Sequence, residues 1–266
     1  MYTFKPEIAY NNIRAHWFSW TSCNGIFDWN EKDGKTLPKV VIGISGGKDS
    51  TVVAGLFTKI LGKDNVIGVS LPCDGQNDMS DVDKVFEHLG IKRITIDIGD
   101  AFHSIIDSIE NCAIDVKYDT KTNLPARLRM SALYAVAQSV GGIVLNTCNR
   151  TEDNLGYATL YGDSAGSYAP IQDLTVTEVI ALGDWLGLPY ELTHKTPIDG
   201  LQPLTDEEKL GMKYADVDMF IRLNQGKSEL KDKASKMYNK NKFKLDIIKI
   251  PGPKHGFPDY IRSESI

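Results

Sequence analysis

The sequence predicts an α/β fold, a doubly wound parallel sheet with helices on both faces and helical extensions at its two ends. Three observations carry this. Residues 40–44 form a continuously apolar, mostly β-branched run, as expected of a strand buried on both faces. The run breaks into Ser45-Gly46-Gly47-Lys48-Asp49-Ser50 and opens directly into a stretch that sets Val52, Val53, Leu56, Phe57 and Ile60 on one helical side. Strand-like and helix-like segments then keep alternating, for which a parallel sheet with crossover helices is the economical solution.

The elements follow in order. Residues 5–20 carry Ile8, Ile13, Trp17 and Trp20 among polar residues and read as a helix, and 21–37 are turn-rich and acidic. The main fold begins near Pro38. After the first strand and its helix come a strand at 65–71, a helix at 78–89, a strand at 93–98, a long helix at 125–140 and a strand at 142–147. A helix over 175–186 starts at a Thr175 cap, and another begins after Thr205, with Asp206, Glu207 and Glu208 in its first turn where the helix dipole favours acids. The Lys-rich stretch 226–242 reads as a solvated or mobile surface. This divides the chain into a helical extension over 1–37, a main domain over 38–225 and a C-terminal segment over 226–266.

In such sheets ligands collect beyond the carboxyl ends of the strands, where strand order reverses. The loop 45–50 lies at one such end and at a helix N-terminus, so free backbone N–H groups and the positive end of the dipole face its occupant. Glycines let an anion approach without a Cβ in the way. Gly43, Ile44, Ser45, Gly46, Gly47, Lys48, Asp49 and Ser50 therefore read as a pyrophosphate cradle, with Ser45 and Ser50 as hydroxyl donors and Lys48 as a charge. Asp49 would repel a phosphate unless a divalent cation stood between them, which implies Mg²⁺. A Walker loop is disfavoured: only Ile44, Ser45 and Gly46 separate Gly43 from Gly47, and an Asp follows the Lys. A plain glycine turn joining a strand to a helix is the simpler alternative.

Composition narrows the function. Charged residues make up 24% of 266 residues with a net charge of −5, without the basic excess of a protein whose main ligand is nucleic acid. Apolar segments are interrupted well short of a membrane span, and the N-terminus lacks a signal-peptide core, so no membrane partner and a cytoplasmic location are expected. Cys23, Cys73, Cys112 and Cys148 are scattered, with no Cys-x-x-Cys pair for zinc, an iron–sulfur cluster or sulfur transfer.

Five blocks taken together resemble the NAD synthetase family of the ATP pyrophosphatase, or adenine nucleotide alpha hydrolase-like, group. They are the loop 45–50, Asn123-Leu124-Pro125-Ala126-Arg127-Leu128-Arg129-Met130, Asn149-Arg150-Thr151-Glu152, Tyr161-Gly162-Asp163, and residues 204–214 with Thr205-Asp206-Glu207-Glu208. Their order and approximate spacing match from about residue 38 to the end. The resemblance implies a homodimeric ligase that makes NAD from deamido-NAD, ATP and ammonia through an adenylated carboxylate. Glutamine-using members carry an amidase ahead of the synthetase, and only some 37 residues precede the first strand here, so ammonia, free or from a separate protein, is the expected nitrogen source.

By family position, Asp49 and Glu152 would be the catalytic pair that holds Mg²⁺ on the phosphates. Thr147 and Gln76 would contact ATP. Asn123, Arg127 and Asp163 would bind deamido-NAD, and Asn241, Phe243 and Lys244 would belong to a segment that closes over it. Each also has a plainer account: Glu152 as a helix-start acid, Thr147 as a cap, Gln76 as a polar turn residue and Arg127 as a surface ion pair. Asn123 and Arg127, four apart, share a helix face. Common bacterial forms carry Lys at Leu160 and Val176, Asp near Ser167 and Thr at Ile198, so phosphate-directed charge is missing unless Lys48 and Lys195 restore part of it. Two other readings stay open on sequence: a different adenylating amidotransferase or tRNA- or nucleobase-modifying enzyme of the group, and a non-catalytic nucleotide-binding protein.

Overall fold

The computed structural model describes residues 3–31, 36–74, 79–195 and 205–263. Gln76 and Ile198 fall outside them. Four strands, β1 (Lys39–Gly43), β2 (Val66–Ser70), β3 (Lys92–Thr95) and β4 (Gly142–Val144), form one sheet in the order β3-β2-β1-β4, and every pairing is parallel. The helices in chain order are α1 (Pro6–Cys23), α2 (Lys48–Leu61), α3 (Ser80–Leu89), α4 (Gly99–Asn111), α5 (Tyr118–Val140), α6 (Arg150–Leu155), α7 (Val176–Trp185), α8 (Tyr190–Thr193), α9 (Asp206–Leu210), α10 (Tyr214–Leu223), α11 (Ser228–Asn241), α12 (Phe243–Ile247) and α13 (Tyr260–Ser263).

Period-2 alternation divides the core. Val40 and Ile42 of β1 point into a cluster with α1, α2 and α7, whereas Val41 joins Ile67, Val69, Val144 and the Ala137 side of α5 on the opposite face. The chain runs from β1 outward to β2 and β3, then returns to place β4 on the other side of β1. Strand order therefore reverses at the carboxyl ends of β1 and β4, the position at which an open α/β sheet has a crevice.

Several elements differ from the sequence expectation for physical reasons. Ile8 is half exposed, and Ala9, Ile13, Trp17 and Thr21 form the buried face of α1 instead. The long helix starts at Tyr118 and carries Pro125 in its interior, where the missing N–H removes one ladder bond and the two turns before it remain helical. β4 stops at Val144 because the pairing changes partner there: Leu145 N still donates to Val41 O at 3.0 Å, but Leu145 bridges Tyr168 and Asn146 N donates to Tyr168 O at 2.8 Å, while the Asn146 side-chain amide donates to the carbonyls of Asp163 and Ala165. The Lys-rich stretch is the packed helix α11. Leu230, Ala234, Met237 and Tyr238, spaced three and four apart, face a second core cluster with α10, and the lysines take the outer face.

Candidate active site

A cavity of about 490 Å³ lies beyond the ends of β1 and β4. Residues 43–50 and 144–148 floor it together with Glu152, α5 forms one wall, and Tyr157, Gly162, Asp163 and Ala165 form another. Its first half is the turn after β1. Ile44 N still donates to Val69 O at 2.8 Å, and the chain then leaves the sheet. Gly46 adopts φ +77°, and a Cβ there would stand 3.0 Å from Asp81 Cβ and 3.1 Å from Val82 N, so the turn requires glycine. Ser45 and Ser50 brace it: their hydroxyls lie 3.2 Å apart, Gly47 N donates to Ser45 Oγ, and Ser50 Oγ donates to Gly47 O. The first N–H groups of α2, with no acceptor inside their own helix, thereby point toward the cavity.

The second half is the capped start of α6. Asn149 Oδ1 accepts from Thr151 N at 3.0 Å and Glu152 N at 3.1 Å, while Glu152 Oε2 accepts from Asn149 N at 3.3 Å, a reciprocal capping box. The same Asn149 donates from Nδ2 to Asp49 Oδ1 at 3.0 Å, and Lys48 Nζ donates to Asp49 Oδ2 at 2.8 Å. One amide thus links the first turn of α2 to the first turn of α6. Burial, and then the Asp49 carboxylate, push the Glu152 carboxyl well above the ordinary glutamate range, against the pull of Lys48 and the Asn149 N–H.

The profile described as NAD synthase matches residues 23–250. The chain belongs to that family. It is 42% identical over 185 residues to the NH3-dependent NAD(+) synthetase of Pyrococcus furiosus, covering 68% of this chain and 70% of that protein. Among solved structures, the NMN synthetase of Francisella tularensis superposes with a TM-score of 0.79 at 30% identity, covering 94% of this chain and 99% of that one. The NH3-dependent NAD synthetase of Campylobacter jejuni gives 0.69 at 25% identity, covering 93% and 99%.

In this NAD synthase family member, Gly43 to Ser50, Thr147, Glu152 and Asp163 all line the cavity, whereas Asn123, Arg127, Asn241, Phe243 and Lys244 are not among its lining residues. Asn123 Oδ1 accepts from Thr159 Oγ1 at 2.8 Å, and Arg127 Nε donates to Leu160 O at 3.3 Å, so the two hold the 159–160 turn and do not face the cavity. Ala126, Arg129, Met130 and Leu133 form the stripe of α5 that does face it. Arg129, given no role from the sequence, donates to Leu71 O at 2.9 Å and lies near enough to Asp163 to feel its charge. Its signal was helical phase: positions 126, 129, 130 and 133 share a face next to that of 123 and 127.

Lys244 donates to the carbonyls of Gly156 at 2.9 Å and Ala158 at 2.8 Å, and Asn241 Nδ2 donates to Leu155 O at 3.2 Å. Asn241 also packs against Gly156, at φ +67°, leaving no room for a Cβ. Phe243 is 48% exposed. The C-terminal helices therefore fasten the turn that follows α6, which carries Tyr157 into the cavity wall. Asp163 accepts from Thr159 N at 2.9 Å; burial raises its carboxyl above the ordinary range, partly offset by that bond and by Lys244.

Two family departures have local explanations. Val176 is buried in the second core cluster at the start of α7, where no lysine charge could be solvated, and Ser167 Oγ donates to Tyr134 OH at 3.4 Å. Lys195 reaches the cavity and pairs with Asp81, whereas Lys48 is turned onto Asp49. Among the described residues no three His, Cys, Asp or Glu side chains are grouped to hold a metal alone. Two carboxylates on two helix starts suit a hard cation whose remaining ligands are phosphate oxygens and water.

Proposed function

We propose that this enzyme converts deamido-NAD to NAD with ATP and ammonia, releasing AMP and pyrophosphate. A carboxylate does not condense with ammonia in water. Its oxygen instead attacks the α-phosphorus of ATP, expelling pyrophosphate and forming an acyl adenylate; ammonia then attacks the acyl carbon, AMP leaves, and a proton is released. The first step needs in-line positioning and charge neutralisation more than a general base. The serine hydroxyls, glycine turn and N–H groups of α2 provide a pyrophosphate seat, with Thr147 beside it.

Asp49 and Glu152 would hold Mg²⁺, which supplies charge neutralisation on the triphosphate. Asp163 on the cavity wall would receive deamido-NAD, with Asn123 and Arg127 joining it from the 159–160 turn that they hold. Residues 226–266, with Asn241, Phe243 and Lys244, would close over it and keep water from the adenylate. In this division residues 1–37 are an extension of the catalytic domain, 38–225.

We also read the enzyme as a cytoplasmic homodimer. Pro125 and Ala137 are the buried residues of the 23-residue helix α5, and Ile94, Ile96, Ala132, Val136 and Val140 line an open apolar groove beside the edge strand β3. A second copy would cover such a face. No described helix is long and apolar enough to cross a membrane.

The observation that carries the reading is the Asn149 bridge, which brings the two carboxylates together beyond a pyrophosphate-type turn in a chain of this family. Incubation of the pure protein with ATP, Mg²⁺, deamido-NAD and ammonium is expected to give AMP and NAD in equal amounts. AMP formed only with an unrelated carboxylate, or no AMP with any acceptor, overturns it. A second reading keeps the chemistry and changes the acceptor: the likeness to the F. tularensis NMN synthetase favours a mononucleotide carboxylate. The ratio of kcat/KM for deamido-NAD to that for nicotinate mononucleotide decides between them.

A further inference from the structure

The ion pair between Lys48 and Asp49 is not one that helix geometry produces. Neighbours i and i+1 on an α-helix diverge by about 100° and do not face each other, yet Lys48 Nζ, on the first residue of α2, folds back to Asp49 Oδ2 at 2.8 Å. It does so almost out of solvent. Lys48 is 4% exposed, and its ammonium lies 5.7 Å from the ring centroid of the buried Tyr214. A buried ammonium requires an anionic partner, and a cation beside two facing carboxylates relieves their repulsion. The other Asp49 oxygen is taken by Asn149, whose N–H also holds Glu152.

We propose that Lys48 is a resident counter-cation of the Asp49–Glu152 pair, which a divalent cation must displace to bind. This rests on the reading of those carboxylates as the metal site. An ammonium and a divalent ion competing for one oxygen weaken each other's binding. Metal binding by the protein alone is then poor, and the nucleotide improves it by offering Lys48 a phosphate in place of Asp49. Lys48 is thus a residue that couples metal to nucleotide, which a fixed phosphate ligand would not be.

The test is Mn²⁺ binding to nucleotide-free protein, followed by loss of the free-ion electron paramagnetic resonance signal. K48M is expected to bind Mn²⁺ at least tenfold more tightly than wild type, K48R to stay within threefold of it, and D49N in the K48M background to abolish the gain. If wild type and K48M bind equally and both lose binding with D49N, the metal site stands and the counter-cation proposal falls. If no variant binds, or D49N has no effect, both fall. Thermal melts cover a marginally folded variant: Mn²⁺ should raise the midpoint of K48M and leave wild type nearly unmoved, and equal shifts in the two would overturn the proposal.

Discussion

Asn149 donates to Asp49 across a separation of 100 residues, at 3.0 Å, while its side-chain oxygen Oδ1 caps the helix that carries Glu152. One side chain therefore sets the first turn of α6 and orients a carboxylate on the first turn of α2. Its two functions separate by mutation. N149A removes both the cap and the amide donor, and should cost about 1–2 kcal/mol of stability along with most of the activity. N149S keeps a cap acceptor and loses the reach to Asp49. It should melt within a few degrees of wild type while kcat/KM for ATP falls at least tenfold, as read by steady-state kinetics beside thermal unfolding.

That relationship also marks where sequence reading stops. The β1 strand, its glycine turn and α2 were legible because a strand buried on both faces is apolar throughout and a phosphate-type turn has few chemical substitutes. Asn149 carries no such signal in the sequence, since a capping residue looks purely local and its partner lies on another strand end. The stripe of α5 that faces the cavity escaped for a related reason. Asn123 and Arg127 share a face, but which of two adjacent faces meets the cavity depends on how α5 rolls on β1 and β4. The 13-residue helix α4 has no counterpart among the elements read from the sequence although Phe102, Ile105, Ile106 and Ile109 keep helical spacing; the structure buries that stripe only in part and leaves Ile105 38% exposed.

The apolar face of α5 and β3 gives a prediction about assembly. Ala135 is exposed on that face and lines the groove, so a long charged side chain there adds no burden to the isolated fold. A135R should convert a dimer to a monomer in sedimentation velocity at micromolar concentration without lowering the melting midpoint by more than a few degrees. A wild-type monomer, or an A135R dimer, would remove this face as the interface.

Two histidines fasten α1 and the C-terminal segment to the body, and both give the stability a pH dependence. His16 Nδ1 lies 3.0 Å from Tyr168 OH, and His255 stacks on Phe257 with its Nε2 buried and without a hydrogen-bond partner among the described residues. Burial lowers both imidazoles below the ordinary value of about 6.5, for His255 against the pull of Asp173. As pH falls through that value the unfolded chain takes up protons that the folded chain refuses. Stability is therefore full above it, drops by up to about 1.4 kcal/mol per pH unit for each proton, and levels only below the folded values. Asp153, pushed up to about 6 by burial, titrates in this window with the opposite sign. The comparison is thus with an H16Q/H255Q double variant: between pH 7.5 and 5.5 its urea midpoint should change less than that of wild type.

Lys244 tests the closing segment. Its ammonium holds the carbonyls of Gly156 and Ala158, and with Asn241 it fixes the turn from which Tyr157 enters the cavity wall. If that turn and the C-terminal helices shield the acyl adenylate, loosening them admits water to a mixed anhydride that ammonia would otherwise capture. K244M leaves the pyrophosphate seat intact, so AMP should continue to form while NAD falls behind it. The expected result is an AMP-to-NAD ratio of one in wild type and of at least two in K244M at subsaturating ammonium, returning toward one as ammonium is raised because nucleophile and water compete for the same acyl carbon. A ratio that stays at one while both products decline would mean that Lys244 serves the fold or substrate binding and has no part in excluding water.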